Sequence, residues 1–143
     1  IFDLSEELPK FCEPYGLIAK TKQVSFSLNI EQPCPVFFPK KGIEKILSNL
    51  LSNAVSYTTS GHNIRVTLQS DKLIIENECE PIAQEKLSRL FEPFYRPDFA
   101  RDRKDGGNGL GLYIVDTLCK ALDLKYSFIS TTSPKGMQFT LYF

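Results

Sequence analysis

The chain has 143 residues, of which 42% are hydrophobic and 24% are charged, a composition typical of one globular domain with its own core. Its 17 basic and 17 acidic residues cancel, so no overall field would draw it to nucleic acid or to an anionic membrane. No apolar run approaches the length of a membrane span, and the first residues do not read as a signal peptide. Any anion that the chain binds must therefore be held by a local arrangement of residues.

The cysteines and the one histidine match neither a zinc framework nor a small disulfide scaffold. Four cysteines are widely spaced and form no Cys-x-x-Cys pair: Cys12, Cys34, Cys79 and Cys119. This pattern is expected of reduced, mostly buried thiols in a cytoplasmic protein. His62 lies in a predicted turn, where a structural or merely exposed side chain is the expectation.

The first third of the chain predicts one helix and two strands. Residues 3–20 carry apolar side chains at helical spacing, but two prolines and a glycine interrupt them, which predicts a broken helix. Residues 24–30 alternate between apolar and polar side chains, as in a half-buried strand. Prolines then bracket residues 36–38, which predicts a short strand at most.

The rest of the chain predicts further helices and strands. Residues 41–57 place apolar side chains at i, i+3, i+4 and i+7, which predicts the clearest helix. A hairpin (residues 64–75) and a short helix (83–90) follow, and then a long loop rich in Pro, Gly and charge (92–109). The chain ends with another helix (110–122) and two strands (124–130 and 137–143). The pattern predicts an α/β fold, an α+β two-layer sandwich in which about three helices cover one face of a mixed sheet of about five strands.

Two asparagines on the helix of residues 41–57 are candidates for ligand binding. Asn49 and Asn53 are four residues apart, so they lie on one face that borders the apolar stripe. Amides at the rim of a core can coordinate a hard cation and contact phosphate oxygens. Taken alone, such a pair is more often two partly exposed amides that contact water or cap a neighbour.

A glycine run over residues 106–111 leads directly into the predicted helix of residues 110–122. Glycines let a backbone approach a ligand closely, and a helix N-terminus presents unpaired N–H groups to anions. No Lys-Ser/Thr follows the run, so it is not a Walker loop, and it lacks the strand of a dinucleotide fingerprint. A flexible hinge is the alternative. The loop before it contains Arg96 and Arg101, although a charge-rich loop is usually only solvated.

Three segments resemble the sequence boxes of sensor histidine kinases. Residues 46–58 (Ile-Leu-Ser-Asn-Leu-Leu-Ser-Asn-Ala-Val-Ser-Tyr-Thr) resemble the N box, and residues 90–96 (Leu-Phe-Glu-Pro-Phe-Tyr-Arg) resemble the F box. Residues 107–115 (Gly-Asn-Gly-Leu-Gly-Leu-Tyr-Ile-Val) resemble the second glycine box. The boxes follow the order and spacing of the family. Residues 1–143 therefore resemble the ATP-binding catalytic domain of such a kinase, a fragment without its dimerisation, phospho-acceptor and sensor segments.

The resemblance implies the Bergerat fold, with ATP and Mg²⁺ held under a mobile lid. By position, Asn53 would be the Mg²⁺ ligand, Asn49 would support the metal and the triphosphate, and Tyr57 would line the nucleotide site. The other residues implied to bind the nucleotide are Asn77, Arg96, Arg101, Gly107, Gly109, Leu110 and Gly111. Phosphoryl transfer depends mainly on positioning and charge neutralisation, which such a set can supply.

The resemblance also implies an acceptor and partners. Related ATPases of the gyrase, Hsp90 and MutL types have a glutamate where this chain has Asn49, and an amide cannot act as that base. The γ-phosphoryl group is therefore expected to go to a histidine on the upstream dimerisation domain, which then serves a cognate response regulator. The fragment is expected to be a monomer, and the full-length protein a homodimer. This cytoplasmic domain would belong to a membrane-anchored protein that binds no nucleic acid.

The first glycine box of the family, Asp-x-Gly-x-Gly, is degenerate in this chain. Its positions fall on Asn77, Cys79 and Pro81. Asn77 can accept a hydrogen bond from the adenine amino group but lacks the charge of an aspartate, so weaker adenine binding is expected. Ser56 stands where many members have a lysine. Lys45 precedes the first candidate asparagine by one helical turn, where it could replace that charge or obstruct the site.

Three functional hypotheses follow from these features. The main one is a working kinase domain. The second is a pseudokinase-like module with weak or no ATP binding that signals through protein–protein contacts, as the degenerate box suggests. The third, an ATPase or a serine-directed relative, is opposed by Asn49 and by the typical F box.

Overall fold

The computed structural model describes residues 1–80, 82–93 and 111–143. Its helices are α1 (Leu4–Thr21), α2 (Lys40–Tyr57), α3 (Gln84–Leu87) and α4 (Gly111–Ala121), with a 3₁₀ turn over Ser88–Phe91. Its strands are β1 (Phe2–Asp3), β2 (Ser25–Ile30), β3 (Pro35–Val36), β4 (Asn63–Gln69), β5 (Lys72–Glu78), β6 (Lys125–Thr132) and β7 (Lys135–Tyr142). Apart from the break expected in the first helix, these bounds agree with the predicted helices and strands to within a few residues. Of the predicted loop at 92–109, all but the first two residues lie outside the described ranges.

Five strands form one mixed sheet in the order β2-β4-β5-β7-β6. β2 runs parallel to β4, and the other neighbouring pairs are antiparallel. β1 and β3 form a separate two-stranded pair in which Phe2 lies opposite Val36. The predicted α+β sandwich with a mixed sheet is confirmed.

The core lies on one face of this sheet. In β4, Ile64, Val66 and Leu68 are buried, while Arg65 between them is exposed. The residues of β5 and β7 that continue this inner face are buried as well, and the buried side chains of α1, α2 and α4 pack onto them. The helices therefore cover the apolar face, as the alternating pattern predicted. No helix in the described part of the chain combines the length and apolar character needed to cross a membrane.

α1 is one continuous helix, so the predicted break at its prolines is wrong. Pro9 and Pro14 both lie on its exposed face, where their rings displace no packed side chain. An interior proline costs a helix about 3 kcal/mol, but the opposite face of α1 buries a row of side chains that includes Leu4 and Leu8, each worth about 1.5–3 kcal/mol. Asp3 caps the helix by accepting a hydrogen bond from the backbone N–H of its second residue at 3.0 Å.

The pairing of β5 with β7 requires a glycine at one position. Gly136 pairs with Glu78, and a Cβ atom there would clash with the backbone carbonyl oxygen of Asn77. The clash would be with main chain, which cannot rotate away as a side chain can. The last predicted strand begins at residue 137, whereas β7 begins at Lys135 and therefore includes Gly136.

All four cysteines are buried, which confirms the predicted buried thiols. Burial raises the pKa of Cys12 to about 12 and that of Cys119 to about 11. Because an ordinary thiol has a pKa of about 8.5, these two remain protonated under conditions in which an exposed cysteine ionises.

We predict that Gly136→Ala lowers the free energy of unfolding by about 2 kcal/mol or more, because the added Cβ would strain the β5–β7 pairing. The matched change Gly16→Ala has room, since its Cβ would lie 4.0 Å from Cδ1 of Phe26. Alanine favours an interior helical position, so this variant should gain about 0.5–1 kcal/mol. Urea unfolding followed by circular dichroism measures both changes, and similar values for the two variants would contradict the close approach at Gly136.

We also predict that Cys12 and Cys119 react much more slowly with iodoacetamide in the native chain than in the unfolded chain, at both pH 7 and pH 9. Their folded pKa values lie above this range, so the reactive thiolate stays scarce. In urea, both should react at the rate of a free thiol and accelerate as the pH rises through about 8.5. Mass spectrometry of labelled peptides reports each site, and fast native labelling of Cys12 at pH 9 would be inconsistent with its burial.

Candidate functional site

One face of α2 packs into the core and the adjoining face carries two amides. The buried residues of the helix are Ile43, Ile46, Leu47, Leu50, Leu51, Ala54, Val55 and Tyr57. Asn49 and Asn53 are half-buried at the edge of this stripe. Their position agrees with the 100° per residue of an α-helix, from which their place beside the apolar stripe was predicted.

The side chain of Asn49 is held by its own helix. Its Nδ2 donates a hydrogen bond to the backbone carbonyl oxygen of Lys45 at 2.9 Å, which leaves Oδ1 as the atom that can act as an acceptor or a metal ligand. This oxygen lies 3.4 Å from the position that a Cβ atom would take on Gly111. The first residue of α4 therefore lies directly against the side chain of Asn49.

α2 and α4 approach closely at two glycines. Gly111 begins α4 beside Asn49, and a Cβ atom on Gly42, near the start of α2, would lie 2.8 Å from Cδ1 of Leu122. The two helices therefore run antiparallel, and the N-terminus of α4 meets the polar face of α2. The first N–H groups of a helix lack partners within it, and the helix dipole makes this end favourable for an anion.

Asn77 lies at the end of the sheet that α2 reaches with its last turn. The connection of residues 58–62 leads from α2 into β4, and Ile64 near the start of β4 pairs with Asn77 near the end of β5. Tyr57, the last residue of α2, is 6% exposed. The end of α2 and the end of β5 therefore adjoin.

Asn77 is a polar residue in an apolar environment. It is 8% exposed and lies between Ile64 of β4 and Met137 of β7, which are both at most 1% exposed. Its Nδ2 has no hydrogen-bond partner among the residues that the structure describes. A buried polar group left unpaired costs about 1–3 kcal/mol. In a native protein such a group requires a specific explanation, of which an absent ligand is one.

A cleft opens beside Asn77 at this end of the sheet. Its volume is about 50 Å³, well below the range of small-molecule sites. Met137 and the β6–β7 turn at Pro134 contribute to its lining, as do Arg65 of β4 and Glu76 of β5, which are on the outer face of the sheet. The cleft therefore lies on the outer face of the sheet, whereas the unpaired amide of Asn77 is turned toward the helix-covered face.

An aromatic cluster ties α4 to the 3₁₀ turn and to the sheet. Phe91 stacks on Tyr126 with ring centroids 5.2 Å apart and meets Phe128 edge-on at 5.6 Å, and Tyr126 also stacks on Phe139. The Tyr126 hydroxyl donates a hydrogen bond of 2.6 Å to Asp116 of α4. This bond lowers the pKa of the Asp116 carboxyl, while burial and the same bond raise the pKa of Tyr126. The middle of α4 is thereby held against β6.

Five of the predicted site residues lie outside the described ranges. These are Arg96, Arg101, Gly107, Gly109 and Leu110. The structure brings Asn49 and Gly111 together, and it places Asn53, Tyr57 and Asn77 on the adjoining elements. Two features could not be predicted from the sequence, because they depend on strand register and helix packing. These are the position of Met137 beside Asn77 and the Asp116–Tyr126 hydrogen bond.

Two residues with open roles are exposed in the structure. The side chain of His62 is exposed, as predicted, with Nδ1 3.0 Å from Oγ1 of Thr59 in the same turn. Lys45 is exposed, and it contacts Asn49 through its backbone carbonyl. The Lys45 carbonyl oxygen therefore positions the Asn49 amide independently of the Lys45 ammonium group.

Sequence comparison relates the chain to sensor kinases. A family model described as histidine kinase-, DNA gyrase B-, and HSP90-like ATPase matches residues 39–143. The sensor histidine kinase CusS of Escherichia coli is 34% identical over 145 residues, covering 99% of this chain and 30% of that protein. The sensor histidine protein kinase HK06 of Streptococcus pneumoniae is 31% identical over 127 residues, covering 89% of this chain and 28% of that protein. The chain thus spans about three tenths of these relatives.

Solved structures have the same fold. The catalytic domain of the histidine kinase ThkA superposes with a TM-score of 0.82 at 20% identity, covering 98% of this chain and 91% of that one. Full-length ShkA, solved in complex with AMPPNP, superposes with a TM-score of 0.81 at 23% identity, covering 98% of this chain and 29% of that one. The family match and the relatives, together with this shared fold, show that the chain belongs to the histidine kinase-, DNA gyrase B-, and HSP90-like ATPases as a histidine kinase ATP-binding domain.

Proposed function

We propose that residues 1–143 are one catalytic domain of a longer sensor kinase, and that this domain binds ATP with Mg²⁺. It then transfers the γ-phosphoryl group to a histidine on the dimerisation domain of the same protein. That domain would in turn phosphorylate a cognate response regulator. The proposal is supported by the family match and by relatives that are sensor kinases.

The observation that carries the proposal is the contact between Asn49 and Gly111. Oδ1 of Asn49, on the polar face of α2, lies 3.4 Å from the position that a Cβ atom would take on Gly111, at the N-terminus of α4. A metal–triphosphate complex needs oxygen ligands for its cation and N–H donors for its phosphates. The two kinds of group come from different elements, and their meeting at one place supports a nucleotide site.

The described residues fit a Mg²⁺-bound nucleotide. Asn53 is half-buried one helical turn beyond Asn49, and it would hold the metal through its side-chain oxygen while waters and phosphate oxygens supply the other ligands. Asn49, fixed by its bond to the Lys45 carbonyl, would support the metal and the triphosphate. When bound, Mg²⁺ would neutralise charge that develops on the phosphates.

The remaining assignments follow the path of an extended nucleotide. Tyr57 would line the base pocket, and Asn77 would accept a hydrogen bond from the adenine amino group. The residues that would contact the phosphates are Arg96, Arg101, Gly107, Gly109, Leu110 and Gly111. Arginines would do so by charge, and the glycine segment would do so through its backbone N–H groups.

A kinase is favoured over a hydrolase because the site has no general base at the position of Asn49. An amide does not take up a proton at neutral pH, so it cannot activate water. A pseudokinase-like module remains the second candidate, and the uncharged, unpaired amide of Asn77 is the observation that favours it. The two candidates differ in whether the folded chain binds nucleotide.

We further propose that the full-length protein is a membrane-anchored homodimer with this domain on its cytoplasmic side, since the relatives are sensor kinases. The isolated chain would be a monomer. The equal numbers of acidic and basic residues support the absence of nucleic acid among its partners.

The first test is calorimetric titration with a non-hydrolysable ATP analogue, with and without Mg²⁺. We expect micromolar binding that needs the metal, and Asn53→Ala should weaken it about tenfold to hundredfold, or about 1.4–2.8 kcal/mol. Ser52→Ala is the matched control, because Ser52 is exposed on the same helix and is not among the residues proposed to bind the nucleotide. Absence of binding to the folded chain at millimolar analogue would favour the pseudokinase-like module.

The second test separates the kinase from the hydrolase. The chain alone, mixed with ATP and Mg²⁺, should release inorganic phosphate no faster than the Asn53→Ala variant, because the amide of Asn49 cannot activate water. A colorimetric phosphate assay over several hours measures the release. Steady release from the wild-type chain that the Asn53→Ala change abolishes would identify an ATPase and refute the proposed phosphotransfer.

A further inference from the structure

We propose that Asn77 broadens the base specificity of the site, so that it accepts purine nucleoside triphosphates with either an amino or a carbonyl group at C6. Adenine nucleotides belong to the first class, and inosine and guanine nucleotides belong to the second. The inference rests on the proposed function, because it concerns the base pocket of the same nucleotide site. It assigns Asn77 as a specificity-determining residue.

The amide of Asn77 is available to a ligand. Its residue is 8% exposed, and its Nδ2 makes no hydrogen bond to any described residue. The side chain lies on the helix-covered face of the sheet near the end of β5, where the last turn of α2 reaches it. Burial without a partner is unfavourable for a donor, so a ligand that offers an acceptor there gains more than it would from an exposed amide.

The neighbours of Asn77 do not select one orientation of the amide. On the sheet its side chain lies between Ile64 and Met137, which offer no conventional hydrogen-bond donor, and the thioether of Met137 is at best a weak acceptor. A carboxamide turned by 180° about its last bond exchanges its oxygen and its nitrogen in nearly the same space. With no fixed partner, the orientation is decided by the ligand.

The chemistry of the base edge then decides what can bind. A 6-amino group donates, and Asn77 can accept through Oδ1; a 6-oxo group accepts, and Asn77 can donate through Nδ2. A carboxylate at this position could only accept hydrogen bonds. Opposite a 6-oxo group, it would place its own acceptor oxygen against the acceptor oxygen of the base, with no donor between them. A site that must hydrogen-bond one group discriminates strongly against the analogue that lacks it. An amide removes that discrimination.

The test is a set of titrations with the Mg²⁺ complexes of the imido analogues of ATP and ITP, whose bases differ at C6. For the wild-type chain, we expect the two dissociation constants to agree within about tenfold. For Asn77→Asp, the ATP analogue should bind more tightly and the ITP analogue at least tenfold more weakly. The ratio of the two constants should therefore change by at least tenfold.

Two further variants serve as controls. Asn29→Asp makes the same substitution at an exposed position on β2, away from Asn77, and should leave the ratio unchanged. Asn77→Ala removes donor and acceptor together, so it should weaken both analogues by a similar factor. This second variant keeps the test decisive if a buried aspartate prevents Asn77→Asp from folding, which thermal unfolding reveals.

The outcomes separate this inference from the proposed function. Tight binding of the ATP analogue with more than hundredfold weaker binding of the ITP analogue would overturn the inference and leave the proposed function intact. A ratio that Asn77→Ala changes strongly would also overturn it, because the amide would then already favour one base. If neither analogue binds to the folded chain, the proposed function fails and the inference fails with it.

Discussion

The packing of α2 on the sheet is the constraint from which the site follows. Eight residues of this helix are buried, and because they occupy one side, the orientation of every other residue of α2 is fixed. Asn49 and Asn53 then lie at the edge of the buried stripe, where α4 meets α2 through two glycines. A substitution that rotated α2 would move both amides away from the N-terminus of α4. The core and the site therefore depend on the same helix, and a change in the orientation of α2 would alter both.

The second constraint is the alternation of β5. Asn77 has the same parity as Leu73 and Ile75, so the pleat of the strand turns it toward the core. Close pairing with β7, which admits only glycine at position 136, holds this end of the strand in register. The amide is thus buried by the geometry of the sheet and not by a partner of its own. This explains how one polar side chain can be both well positioned and unpaired.

Much of this arrangement could be predicted from the sequence. The helical spacing of α2 gave the face of Asn49 and Asn53, because that face depends only on local periodicity. The continuity of α1 was not predicted, since it depends on tertiary burial that outweighs the local cost of Pro9 and Pro14. The apolar neighbours of Asn77 were not predicted either, because the pairing of β5 with β7 joins residues about sixty positions apart. Contacts between distant segments lie beyond any pattern in a single sequence.

The most direct test of a nucleotide site at these residues is the nuclear magnetic resonance spectrum of the asparagine side-chain amides. The chain would be labelled with ¹⁵N, and the resonances of Asn49, Asn53 and Asn77 assigned by single substitutions. Addition of a Mg²⁺-bound, non-hydrolysable ATP analogue should shift all three together along one saturable curve, while the exposed amide of Asn29 stays unchanged. Saturable shifts confined to the outer face of the sheet, with these three amides unmoved, would contradict the account.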